Sequence, residues 1–119
     1  MNDYGKKIWF FPDGDLPEPG SGELLGHESL VILNPNSSDA DISITIYFTD
    51  RDSVVLDAGS VGAQRVRCIR TNEPIDEFQI PFGQYAMKIE SSVGIIAQIG
   101  RMDVTQPNLA YYTTMGYGN

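Results

Sequence analysis

Basic residues are scarce in this chain. Eight Lys and Arg stand against sixteen Asp and Glu, so the 119 residues carry a formal net charge of −8. Nucleic-acid affinity comes largely from neutralising phosphates, and an acidic chain is repelled by polyanions. DNA, RNA and an anionic membrane surface are therefore disfavoured as main partners. Histidine and cysteine occur once each, as His27 and Cys68. No internal disulfide can form, and a zinc site built from several His and Cys ligands lacks donors. A Ser-His-Asp triad has no nucleophile-elbow motif to support it. The acidic turns Asp13-Gly14-Asp15, Asp39-Ala40-Asp41 and Asp50-Arg51-Asp52 lack the ligand run of a calcium loop and read as solvated turn carboxylates. No glycine loop cradles a phosphate ahead of a helix. No metal or organic cofactor is expected, and no enzyme activity. Apolar runs stay far below the ~20 residues of a membrane-spanning helix. The start has Lys6-Lys7 followed only by Ile8-Trp9-Phe10-Phe11 before Pro12, too short for a signal-peptide core. A cytoplasmic protein is the expectation.

What the chain does have is punctuation. Turn signals recur along its length, and the segments between them alternate, which indicates an all-β sandwich or barrel. Ile42, Ile44, Ile46 and Phe48 share one face of a strand, and Ser43, Thr45, Tyr47 and Thr49 share the other. Ser29 to Leu33 is apolar on both faces and reads as a central strand. Ile8 to Phe11 reads as a short first strand ended by Pro12-Asp13-Gly14-Asp15, with a Pro/Gly-rich, potentially functional loop from Leu16 to Gly26. Val54 to Leu56 is a further strand ended by Asp57-Ala58-Gly59, and Val61 to Ile69 the next. A helical turn is expected around Ile75 to Phe78, a tight turn at Ser91-Ser92, and a last strand from Leu109 to Tyr117 after a turn at Gln106-Pro107-Asn108. The sum is one domain over residues 1–119, a jelly-roll-like antiparallel β-sandwich of about eight strands. Cys68, between Val66 and Ile69, reads as a small buried apolar residue.

The chemistry concentrates at the end of one apolar run. Val93 to Ala97 leads into Gln98-Ile99-Gly100-Arg101-Met102-Asp103. Burial there is costly unless amide, guanidinium and carboxylate are each paired. On a regular strand Arg101 and Asp103 share a face with Ile95, Ala97 and Ile99, and Gln98 faces the other way. A bulge at Gly100 brings Gln98 and Arg101 to one side. Such a cluster either satisfies itself or binds hydroxyls and carboxylates of a polar small molecule. Trp9, Tyr111 and Tyr112 are candidates for a flat stacking face, or for core and subunit interface. Of the neighbours His27 and Glu28, at most one points into the core. Arg65 and Arg67 share a strand face and need carboxylates or a ligand anion between them. The final strand, aromatic on both faces, needs covering, most simply by another subunit.

In order and spacing these residues resemble a known family. The run Gly26 to Asn34 with its His27-Glu28, Arg65-x-Arg67, Gln98-x-x-Arg101-x-Asp103, and Trp9 ahead of a Pro/Gly loop are together similar to the sensory rhodopsin transducer family of small bacterial β-sandwich proteins. The resemblance implies a homotetramer, a founding member that is a soluble transducer for a photosensory membrane protein, and relatives that bind sugars or similar polar compounds. It implies a ligand site made by Trp9, His27, Glu28, Arg65, Arg67, Gln98, Arg101 and Asp103. In the binding reading Arg101 grips the ligand and Asp103 orients Arg101. The resemblance departs at Ile99, where the founding member has a histidine. The alternative is an adaptor that docks on a membrane sensor or a soluble protein through its oligomer surface, with the polar cluster purely structural.

Overall fold

The computed structural model describes residues 4–16, 27–103 and 110–119, with side chains undescribed at 27, 102, 103 and 110–114. The Pro/Gly loop, the turn at Gln106 to Asn108, and the side chains of Tyr111 and Tyr112 lie outside this set. Eight strands follow one another: β1 (Lys6–Leu16), β2 (His27–Asn34), β3 (Ala40–Tyr47), β4 (Val54–Val61), β5 (Arg65–Arg70), β6 (Gly83–Asp103), β7 (Ala110–Met115) and β8 (Tyr117–Gly118). All pairings are antiparallel. The all-β sandwich is the architecture the turn spacing predicts.

One strand organises the molecule. The 21 residues of β6 pass through both sheets. Its first half lies between β3 and β1, in the order β4-β3-β6-β1-β8, while Ile96 to Asp103 lie between β2 and β7, with β5 beyond β2. The predicted turn at Ser91-Ser92 is therefore absent. Ser91 pairs with Ile42, and Ser92 Oγ accepts the Asp41 N–H at 2.9 Å, so both serines fit an uninterrupted strand. Gly94 marks the crossing between sheets. A Cβ there would collide with the Tyr4 carbonyl, and Asn36 Nδ2 donates to the carbonyls of both Tyr4 (3.0 Å) and Gly94 (2.9 Å).

The core between the sheets is built from the inward alternates. Ile42, Ile44 and Ile46 from β3 meet Leu30 and Ile32 from β2 and Met87, Ile89, Ile95 and Ala97 from β6, all buried. At about 25 cal/mol per Å² of apolar surface removed from water, such residues dominate the stabilisation.

Several other boundaries differ from expectation. Pro12-Asp13 does not end β1. It forms an irregularity between Phe11 and Gly14, after which pairing with β6 resumes and Leu16 is buried. Gly59, at φ +78°, is absorbed within β4, and the break falls instead between Val61 and Arg65, where Gln64 takes φ +54°. Ile75 to Phe78 is not helical. The two exchange backbone hydrogen bonds of 2.9 and 2.8 Å across a two-residue turn, with Asp76 and Glu77 at φ +50° and +64°. The last strand is divided at Gly116, where the chain leaves β6 and moves to β1. Cys68 is exposed, not buried. Ile69 points inward, so alternation sends Cys68 and Val66 outward.

Candidate functional site

Glu28 and Arg101 are direct cross-strand partners in the β2–β6 register. Both belong to the inward alternation of their strands: Glu28 continues the face of Leu30 and Ile32, and Arg101 that of Ala97 and Ile99. Glu28 is 0% exposed. A carboxylate there is tolerable only if its lone pairs are filled. Arg101 Nε donates to Oε2 at 2.6 Å, the Asp15 N–H donates to Oε2 at 3.2 Å, and the Tyr85 hydroxyl donates to Oε1 at 2.6 Å. The Tyr85 phenol has one proton and gives it to Glu28, so the Thr71 hydroxyl, 3.0 Å away, donates to the phenol oxygen. Burial, reinforced by the Glu28 charge, pushes the Tyr85 pKa far above that of a free phenol. The phenol is thereby held as a donor.

This network joins three strands and the β1 irregularity. Arg101 Nη2 donates to the Asp13 carbonyl at 3.1 Å, so the guanidinium binds the chain where Pro12-Asp13 bows out of the ladder. Gly14 makes room for the network. A Cβ at that position would lie 2.7 Å from Tyr85 Cζ.

Beside the ion pair lies a partly open cavity of about 270 Å³, lined by Phe11, Pro12, Asp13, Glu28, Ile99, Arg101 and Met115. The β1 irregularity forms one wall, and the end of β7 with Ile99 forms another. Arg101 retains 16% side-chain exposure. Its guanidinium and the exposed Asp13 are therefore the charged groups at the open part of the cavity, while Glu28 stands behind Arg101.

The other predicted residues are distributed as follows. Gln98 does not join the cluster. Pairing of β6 with β2 and β7 is continuous through Gly100, with no bulge, so Gln98 stays on the face opposite Arg101. Trp9 is 7% exposed and lies in the core, its indole N–H shared between the carbonyls of Lys6 and Ile95 at 3.1 Å each. It is outside the cavity lining. Arg65 is exposed and bonds to the carbonyls of Ala63 and Gln64. Arg67 donates from Nη1 to the carbonyls of Ala58 and Ser60 on β4, tying the edges of the two sheets together. Neither lines the cavity, and among the described residues neither makes an ion pair with a carboxylate. His27 and Asp103 are placed by backbone alone, opposite Met102 and Ala110. Glu28 orients Arg101, and the side chain of Asp103, expected in that role, lies outside the described set. Tyr85 and Thr71 were not singled out by sequence; Tyr85's only signal is general, a tyrosine on the apolar face of a strand whose hydroxyl needs a buried partner. Asp13 and Asp15 were read as turn carboxylates, and they join the network through backbone groups. Among the described residues no three His, Cys, Asp or Glu side chains are grouped to hold a metal ion.

A β-sandwich with a small cavity closed on one side by a buried Glu-Arg pair defines the class: a compact sandwich with a preformed recess, carrying no recognisable catalytic constellation among its described residues. The Anabaena sensory rhodopsin transducer family matches residues 4–118, and the chain belongs to that family. A Thermotoga maritima structure, titled Thermotoga maritima 1070, is similar at 35% identity and a TM-score of 0.86, covering 100% of this chain and 97% of its own. The Anabaena sensory rhodopsin transducer is similar at 32% identity and a TM-score of 0.73, covering 82% of this chain and 89% of its own. No curated protein matches. No helix among the described residues is long and apolar enough to cross a membrane.

Proposed function

We propose that the chain is a non-catalytic, cytoplasmic binding module of this transducer family that holds a polar small molecule, sugars among the classes considered, in the cavity beside Arg101. The observation that carries the reading is the small exposed edge of a guanidinium fixed by a fully buried carboxylate at the wall of a recess. Preorganised polar groups in an otherwise apolar recess are the usual make-up of a ligand site. A small-molecule fraction from host cells should raise the thermal midpoint of the wild-type protein, because a ligand that binds only the folded state stabilises it by mass action. Met115→Trp, which fills the recess from an exposed position, should remove the effect. Equal midpoints with and without the fraction would count against the reading.

Self-association is the second element of the proposal, with a homotetramer as its form. Leu33 pairs with Val66 and Ile96 on the outer face of the β5-β2-β6 sheet. Leu33 and Val66 are 41% and 65% exposed. Exposed apolar neighbours of this kind suit an interaction site. Light scattering should give a mass well above 13.1 kDa; a monomer would contradict it. Docking of the same face on a membrane sensor or soluble partner is the competing use.

A further inference from the structure

The cavity's lining narrows the class of ligand, an inference that rests on reading the cavity as a ligand site. Among the described residues its charged side chains are Asp13, Glu28 and Arg101, two carboxylates against one guanidinium. That guanidinium is paired at 2.6 Å with Glu28, which is itself 0% exposed. A ligand carboxylate would therefore meet an excess of negative charge in a setting where repulsion is poorly screened. A cationic head would meet the guanidinium, with the Glu28 oxygens shielded from it. An uncharged head suits the wall better, since Arg101 donates to an acceptor without a second ion being desolvated.

The remaining described lining is Phe11, Pro12, Ile99 and Met115. A ring bearing hydroxyls all round would bury several of them against these apolar side chains, where an unpaired hydroxyl is disfavoured. A partly open recess of about 270 Å³ is at the small end of ligand pockets and suits one ring with a small head group. We infer that the cavity takes an uncharged amphipathic molecule of this size, with a single amide or hydroxyl head facing Arg101 and an apolar ring or branched body against Phe11, Pro12, Ile99 and Met115.

Three isosteric probes separate the alternatives. Benzamide, benzoate and benzamidinium share a shape and differ in charge, and methyl glucoside supplies the hydroxylated ring. Each is titrated into isotope-labelled wild-type protein and into Met115→Trp, with amide shifts read by NMR. Benzamide should bind at least about threefold tighter than the other three, a margin of well under one factor of ten in Kd. Its shifts should centre on Phe11, Asp13, Ile99 and Arg101, and Met115→Trp should abolish them. Equal or tighter binding of benzoate, benzamidinium or methyl glucoside at the same residues overturns the inference and leaves the cavity a ligand site. Absence of saturable shifts from all four probes, or shifts that Met115→Trp retains, overturns the inference and the ligand-site reading together.

Discussion

Arg101 and Arg67 look alike in sequence, each an arginine on the inward alternation of a strand, and they end in different environments. Arg101 projects toward a carboxylate wholly removed from water and forms an ion pair of 2.6 Å. Arg67 sits where the two sheet edges approach, and its partners are the neutral carbonyls of Ala58 and Ser60. The first arginine is paired with a carboxylate that no water can reach in its place. The second covers acceptors that water would otherwise satisfy. A third, Arg51, pairs with its neighbour Asp50 in full solvent, where ion pairs contribute little. Burial of the partner, more than the presence of a salt bridge, decides how much each matters.

That ranking can be broken experimentally. Glu28→Ala should have the largest effect, a loss of about 3–5 kcal/mol in urea denaturation, because it strands a partly buried guanidinium. The double replacement Glu28→Leu/Arg101→Met should recover much of that loss, since an apolar pair needs no charge compensation. If the double variant is as unstable as the single, the pair is not the source of the effect.

Tyr85→Phe comes next, at about 1.5–3 kcal/mol, the worth of a hydrogen bond to a charged group. It carries a distinct pH signature. The folded-state phenol pKa is raised above the 10.0 of a free phenol. Below pH 10.0 both folded and unfolded chains keep this proton; above it the unfolded chain releases the proton while the folded chain retains it. Stability should therefore fall as pH rises past the unfolded value, and the wild-type slope there should exceed that of Tyr85→Phe. Parallel pH profiles would show that Tyr85 is not held protonated by Glu28.

Arg67→Ala should cost about 1 kcal/mol, the value of an ordinary hydrogen bond with the freed carbonyls rehydrated. Arg51→Ala should leave the denaturation midpoint unchanged. A loss at Arg67 comparable to that at Glu28 would erase the distinction between the two regions.

How much of this could be read from the chain differs between fold and site. Alternation such as Ile42, Ile44, Ile46 depends on local spacing alone, so the sandwich and the inward phase of Arg101 were legible. That one of His27 and Glu28 would be internal followed from the same rule. The length of β6 was not legible, because Ser91-Ser92 carries a turn composition that its partners on β3 override. Nor was the link between Glu28 and Arg101, since 73 residues separate them and only the β2–β6 register brings them face to face. Cys68 was misplaced because Ile69, not Cys68, takes the inward phase of β5. Gly100 suggested a bulge, yet the glycine here lies in an unbroken ladder. Side-chain type identified the strands; long-range register selected the partners.

The central claim is that the recess beside the Glu28–Arg101 pair is built to hold a small molecule. Native mass spectrometry of protein purified without added ligand tests it most directly, run in parallel on wild type and Met115→Trp. The account predicts a non-covalent adduct of small mass on the wild-type protein that the blocked variant lacks. A bare wild-type protein, or an adduct carried equally by both, would contradict it.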